Sequence, residues 1–226
     1  MFLITEKIQH LPSQHNIGCC SASASLLATE LILGNNIRLS RLFVYYFARK
    51  LRNRIGQQGA ELGDTLAVMS QYGMATDRTW PFSFDRVNIE PNLIAVAEAS
   101  QLKINSYQRI DATSYKDFLH RGYPIIIGFF TGRMFWKMKG PLANQLYKPI
   151  NTEDNRKFRG HAATIIGYDD TLLGGSWIIA NSLGLTWGDH GLGLLPYDCC
   201  VDIGESYVIT QVAGKTPEKK FLRIDK

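Results

Sequence analysis

The chain has 226 residues, enough for one large domain or for two lobes that share a long interface. A hydrophobic fraction of 45% with 20% charged residues is ordinary for a globular protein and excludes a disordered or collagen-like chain. The net charge of +5 is scattered along the chain, and no apolar run is long enough to span a membrane, so we expect neither a nucleic-acid nor a membrane partner.

The N-terminus and the cysteines indicate neither a targeting signal nor a metal site. Residues 1–7 lack the basic and apolar segments of a secretory signal, so we interpret the protein as cytoplasmic or unconventionally exported. The four cysteines form two adjacent pairs, Cys19–Cys20 and Cys199–Cys200. Because adjacent side chains diverge, such pairs seldom hold one metal ion, and we expect no metal, no cofactor and no disulfide framework.

The first half of the chain has helical patterns. The predicted helices span residues 20–33, 39–54, 61–72 and 91–100. Ser40 is the expected N-cap of the second helix, and Gly34 and Gly73 end the first and the third.

The second half changes to β patterns. The predicted strands span residues 104–110, 124–130, 161–168, 176–180, 191–196 and 207–212, with one short helix at 114–120. The long connection 131–159 is typical of a functional loop beside a cleft. A helical lobe followed by a β-rich lobe predicts an α+β protein with the cleft between the lobes.

Cys20 stands where a thiol can act as a nucleophile. It follows a turn that ends in Gly18 and opens the first predicted helix. The positive end of a helix lowers the pKa of a thiol, so we expect Cys20 to favour the thiolate. The helix amides also provide half of an oxyanion hole, and the side-chain amide of Gln14 is a candidate for the other donor.

A catalytic thiol needs a base, and the base needs a residue that orients it. His161 begins an apolar strand, and Asn181 follows the next strand. The amide oxygen of Asn181 is a candidate acceptor for the ring N–H of His161.

Three motifs in order carry a family resemblance. Gln-x-x-x-Gly-x-Cys at a helix start, Gly-His-Ala before an apolar strand, and Asn-Ser-x-Gly-x-x-Trp-Gly resemble the papain/cathepsin-like cysteine peptidases. The separation of Cys20 from His161 falls within that family's range of about 130–150 residues. The resemblance implies one papain-like catalytic domain over residues 1–226, with a helical lobe at about 15–103 and a β-barrel-like lobe at about 104–226.

The resemblance also implies roles for individual residues. Cys20 would be the nucleophile, His161 the general base and acid, and Asn181 the orienting residue. Gln14 and the Cys20 amide would hold the oxyanion, and Trp187 would shield the site.

Further positions would contact the substrate. The backbone of Gly59 and Ala60 would pair with an extended peptide. Arg159 and Gly160 precede the catalytic histidine, where related enzymes line the pocket for the second residue before the cut. Arg159 would either admit an acidic side chain or point to solvent.

Departures from the family pattern lead to further expectations. Leu183 replaces a tryptophan that covers the Asn–His pair, so we expect a wetter and weaker hydrogen bond between Asn181 and His161. Cys19 is interpreted as a buried core residue rather than a resolving thiol. Met1 lies close before Cys20, so we expect no inhibitory propeptide and no control by zymogen cleavage.

The residues and the resemblance together predict a monomeric enzyme that hydrolyses peptide bonds through a thioacyl-enzyme, with a peptide or protein as its substrate. Two alternatives remain open at this stage. The same triad can deamidate or transglutaminate a protein side chain. The cleft can also belong to a catalytically silent pseudo-peptidase that only binds peptides.

Overall fold

The computed structural model describes residues 1–4, 8, 11, 13–34, 36–145, 157–217 and 222–223, with backbone only at 157–158, 200–202 and 222–223. The helices are α1 (Cys20–Ile32), α2 (Arg41–Leu51), α3 (Leu62–Gln71), α4 (Leu93–Ala99), α5 (Tyr115–His120) and α6 (Arg133–Trp136). The strands are β1 (Phe2–Leu3), β2 (Ile104–Arg109), β3 (Ile125–Gly132), β4 (Lys157–Asp169), β5 (Ser176–Ala180), β6 (Leu192–Pro196), β7 (Ile203–Val212) and β8 (Leu222–Arg223).

The helices of the first half lie where the sequence predicts them, with shorter ends. Helix α2 begins at Arg41 because Ser40 caps it, its hydroxyl accepting a 3.2 Å hydrogen bond from the amide of Phe43. Helix α1 is rich in small residues and is buried along almost its whole length, so other elements surround it on all sides.

Within the described residues, the strands form one antiparallel sheet. Its hydrogen-bonded order is β2-β7-β3-β4-β1-β8, and β5 and β6 continue from β4. Strands β4 and β7 start earlier than predicted, because both extend along β3. The short β1 pairs with β4, so the N-terminus packs on the β-rich part of the protein. The helices and the antiparallel sheet together confirm the predicted α+β fold class.

Two hydrophobic cores meet at α1 and β4. The first lies among α1, α2 and α3, and the second lies around β3, β4 and β5. Thr164 on β4 joins them by donating a 2.9 Å hydrogen bond to the carbonyl oxygen of Ala24 in α1. The lobe limits of about 15–103 and 104–226 stay a prediction.

The long connection after β3 is partly structured. Its first part continues β3 to Gly132, turns into α6 and forms a 3₁₀ turn at Leu142–Asn144. The rest of the predicted connection, 146–156, lies outside the described residues. None of the helices described is long and apolar enough to cross a membrane.

Candidate active site

Cys20 is the first residue of α1, at the floor of a cleft. The preceding turn is held by the amide of Gly18, which donates a 2.5 Å hydrogen bond to Oε1 of Gln58. A Cβ on Gly18 would lie 2.7 Å from the backbone nitrogen of Gly59. The turn before the thiol therefore requires glycine, because the segment that forms the cleft wall approaches it so closely.

His161 and Asn181 form a direct hydrogen bond. Strands β4 and β5 pair with Thr164 opposite Ala180, which brings the start of β4 beside the residue that follows β5. Nε2 of His161 lies 2.8 Å from Oδ1 of Asn181. The same Oδ1 accepts a 2.8 Å hydrogen bond from the amide of Ser182. Because Oδ1 is an acceptor, Nε2 carries the imidazole proton, and Nδ1 keeps a lone pair for a second partner.

The structure places Cys20 against the backbone beside His161. The backbone amide of Ala162, the next residue along β4, lies close enough to the Cys20 thiol to lower its pKa. Both Cys20 and His161 line the same cleft. The sequence predicts these two residues as a pair, and the fold brings them to one place from positions far apart in the chain.

The expectation of a wet His161–Asn181 bond is wrong. His161 is 5% exposed and Asn181 is 1% exposed, although Leu183 does not supply an aromatic cover. Aromatic rings from another part of the chain surround the imidazole instead. They are Phe129, Phe135 and Trp136, with ring centroids 5.9, 5.3 and 5.1 Å from that of His161.

The same burial sets the ionisation of the pair. Burial raises the pKa of the Cys20 thiol above its ordinary range, against the smaller lowering effect of the amides of Ala162, Ser21 and Cys20 itself. Burial also lowers the pKa of His161 to about 4, although the hydrogen bond from Asn181 raises it. Burial thus works against the expected thiolate, and the ionisation of Cys20 stays a prediction.

The cleft has a volume of about 500 Å³. Four predicted site residues line it together with the nucleophile: Gly59, Ala60, Gly160 and His161. Sequence reasoning missed other lining residues, namely Leu62, Arg109, Gly128, Phe129, Phe130, Gly204 and Glu205. They come from α3, β2, β3 and β7, and no local motif marks them, because only the pairing of β3 with β7 and β4 brings them together.

One wall of the cleft offers backbone groups. The amide of Gly59 donates a 3.1 Å hydrogen bond to the hydroxyl of Tyr45, and its φ of +85° favours glycine. The next residue, Ala60, makes no hydrogen bond through its N–H or C=O to any other described residue. Those two groups are therefore available to an extended peptide.

Gln14 is fixed between the turn before Cys20 and Ser182 but does not line the cleft. Its backbone amide donates to the carbonyl of Ser182, at 2.7 Å, and its side-chain Nε2 donates to the carbonyl of Ile17, at 2.8 Å. Its Oε1 accepts from the hydroxyl of Ser182. One Nε2 hydrogen is thus occupied by Ile17, and the second is the one that can serve an oxyanion.

Trp187 and Arg159 act through neighbours. Trp187 donates through Nε1 to the carbonyl of Phe135, at 2.8 Å, and its ring packs against the Phe135 ring at a tilt of 47°, so it supports the group that contacts His161. The guanidinium of Arg159 lies over the ring of Trp136, 3.7 Å from the ring centroid. Arg159 does not line the cleft and is exposed where it stacks on Trp136, so of its two expected directions it takes the one toward solvent.

The other cysteines differ from Cys20. Cys19 is fully buried, and burial raises its pKa to about 11, as expected for a core residue. Cys199 is also buried, while the side chain of Cys200 lies outside the described residues.

Comparisons with known proteins agree with this arrangement. The sequence profile described as papain family cysteine protease matches residues 4–206. A peptidase C1-like protein of Acanthamoeba polyphaga mimivirus is 27% identical over 205 residues, 84% of this chain and 65% of its own length. The chain thus spans somewhat less than two thirds of that relative.

Solved structures share the fold. Xylellain, a cysteine protease from Xylella fastidiosa, superposes with a TM-score of 0.80 at 24% identity, over 92% of this chain and 85% of its own. Procathepsin B S9 from Trypanosoma congolense gives 0.65 at 17% identity, over 93% and 73%. The fold is that of the papain-like cysteine proteases, and the chain belongs to the papain family.

Proposed function

We propose that this protein is a cysteine peptidase that cleaves peptide bonds through Cys20, His161 and Asn181. The observation that carries the proposal is the 2.8 Å hydrogen bond between His161 and Asn181, beside a thiol at the start of a helix. That bond fixes the imidazole tautomer, so that Nδ1 is left to accept the thiol proton.

Acylation begins with Cys20 and His161 in the same cleft. As the Cys20 sulfur bonds to the substrate carbonyl carbon, its proton passes to Nδ1 of His161, and the carbonyl π electrons move to the oxygen. The backbone amide of Cys20 and the remaining Nε2 hydrogen of Gln14 are the proposed donors to that oxyanion. When the intermediate collapses, the C–N bond breaks and His161 returns the proton to the leaving amine.

Deacylation repeats the proton transfer with water. His161 takes a proton from a water molecule as its oxygen attacks the thioester carbon. The C–S bond breaks, the acid product leaves, and the proton returns to the sulfur of Cys20. In both steps His161 acts first as a base and then as an acid.

The substrate is an extended peptide segment of a peptide or protein. The free backbone groups of Ala60 support main-chain pairing, as in the addition of a strand to an edge. The apolar side chains of Leu62 and Phe130 and the mixed charges of Arg109 and Glu205 line the space beyond it.

The experiment compares three proteins: wild type, Cys20→Ala and Cys19→Ala. An epoxide-type thiol electrophile should label wild type and Cys19→Ala once, and should leave Cys20→Ala unlabelled, because Cys19 is buried. A fluorogenic peptide panel should be cleaved by the first and third proteins only. Full cleavage by Cys20→Ala would overturn the proposal.

The same samples separate the alternatives. Release of ammonia from glutamine side chains without peptide cleavage would assign the triad to deamidation or transglutamination. A chain that binds peptides but is neither labelled nor active would be a pseudo-peptidase.

A further inference from the structure

The imidazole of His161 is buried by a residue that the family motifs do not predict. The motif position that would provide an aromatic cover holds Leu183, yet His161 is only 5% exposed. Trp136 is the aromatic residue whose ring lies closest, at 5.1 Å between centroids and 68° between planes. This edge-to-face arrangement is favourable for aromatic rings and depends on their orientation.

Trp136 is itself held on two sides. Its Nε1 donates a 3.0 Å hydrogen bond to the hydroxyl of Thr131, and that hydroxyl donates a 2.9 Å hydrogen bond to the carbonyl of Arg159. The guanidinium of Arg159 covers its face. The ring is therefore fixed between the end of β3 and the start of β4, the strand that carries His161.

We propose that Trp136 is a positioning residue for His161, which keeps water from the His161–Asn181 hydrogen bond and holds the imidazole plane in place of the missing aromatic residue at position 183. The proposal rests on the proposed function for its effect on turnover, but its effect on the imidazole does not depend on the substrate. Trp136 does not line the cleft with Cys20, so it acts through His161 rather than by contact with the acyl group.

The groups that face His161 come from five parts of the chain. Cys20 lies on α1, Arg159 on β4 and Asn181 after β5, while Phe129 and the α6 aromatic residues are uncharged. The pKa of His161 is lowered by burial and, less strongly, by the charge of Arg159, and it is raised by Asn181. Removing Trp136 admits water and releases Arg159 from its stacking position, so both lowering effects weaken and the pKa of His161 should rise.

The test uses Trp136→Leu and Trp136→Phe, with Trp177→Phe as a matched control. Trp177 is a buried tryptophan on β5. Its ring contacts the rings of Tyr115, Tyr168 and Tyr197. The pH titration of the His161 ring is followed by NMR, with the signal assigned by its absence in His161→Asn. The profile of kcat/KM against pH is measured on a peptide that wild type cleaves.

In Trp136→Leu, the His161 titration and the acid limb of kcat/KM should both move to higher pH. The value of kcat should fall by up to about 100-fold, the loss that a displacement of about 1 Å can cause, with a smaller change in KM. Trp136→Phe should keep most of kcat, because it retains an aromatic edge. Trp177→Phe should lower Tm and leave both pH curves unchanged.

Two results would overturn the proposal. The first is a Trp136→Leu protein that is folded, with the His161 titration and kcat of wild type. The second is a Trp136→Leu protein whose loss of activity is explained by its lower Tm alone, as expected for a purely structural substitution such as Trp177→Phe. If wild type cleaves no peptide, the proposed function fails, but the NMR titration still decides the role of Trp136.

Discussion

The hydroxyl of Thr164 on β4 donates a 2.9 Å hydrogen bond to the carbonyl oxygen of Ala24 on α1. Both residues are buried, and they join the helix that begins with Cys20 to the strand that begins near His161. The relative position of the Cys20 thiol and the His161 imidazole therefore depends on the contact between α1 and β4. This hydrogen bond keeps the helix from sliding along the strand.

Thr164→Val should lower the free energy of unfolding by about 1 kcal/mol, because it removes this hydrogen bond while keeping the shape of the side chain. The measurement is urea unfolding followed by circular dichroism. Thr210→Val is the control, since its hydroxyl bonds to Ser106 at an exposed site and should cost less than about 0.5 kcal/mol. If both substitutions lowered the free energy of unfolding equally, the buried hydrogen bond of Thr164 would contribute no more to stability than the exposed one of Thr210.

Gly18→Ala should destabilise the protein by about 1–3 kcal/mol and reduce kcat/KM, because the new Cβ would lie 2.7 Å from the Gly59 nitrogen and must displace the turn before Cys20. Gly63→Ala on α3 is the matched control, because its Cβ would meet only the Tyr207 hydroxyl at 3.8 Å. Thermal unfolding and peptide cleavage are measured on both. A Gly18→Ala protein as stable and active as Gly63→Ala would contradict the steric argument.

Because of the buried carboxyl of Glu30, the free energy of unfolding should fall as the pH rises. Burial raises the pKa of this α1 carboxyl to about 7, against the lowering effects of the Leu39 amide and of Arg38 and Arg41. The folded protein thus holds the proton more tightly than the unfolded chain. The stabilisation that the bound proton gives the folded protein is fully present below the ordinary pKa of a glutamate, and it is lost as the pH rises through about 7.

Glu30→Gln should remove that dependence, since its side-chain oxygen can still accept from the Leu39 amide at the position Glu30 uses. Between pH 5 and pH 8, wild type should lose up to about 3 kcal/mol more stability than Glu30→Gln. The free energy of unfolding is measured by urea at both pH values. Parallel curves for the two proteins would mean that Glu30 titrates normally.

Asn181→Asp should move the acid limb of kcat/KM to higher pH. The hydrogen bond of Asn181 already raises the pKa of His161, and a carboxylate at the same place would raise it by about 1–3 units more. In the proposed function His161 acts as a base, so activity should be lost where the ring becomes protonated. The profile is compared with that of Ser182→Ala, which keeps the amide oxygen of Asn181. If the acid limb of kcat/KM stayed at its wild-type pH in Asn181→Asp, protonation of His161 would not be what determines that limb.

Some structural features follow from local sequence. The start of α1 at Cys20 comes from the turn at Gly18 and the small residues that follow it. The cap at Ser40 and the strand before Asn181 are equally local, because a cap and a short apolar run each act over a few residues. These signals, in order along the chain, were enough to predict the α+β class and the papain family, and both predictions are confirmed.

Other features were decided by tertiary packing. The expected wet hydrogen bond was wrong, because the burial of His161 depends on rings that the sequence places elsewhere. Trp136 reaches His161 only because β3 and β4 pair.

The sequence by itself determined the papain family and predicted which residues carry the chemistry: the thiol, the imidazole and the amide, each marked by a motif of a few positions. Only the tertiary structure decided their burial, their aromatic cover and the walls of the cleft. The physical reason is that reactivity is set by desolvation and by side-chain direction, and both depend on contacts between segments far apart in the chain.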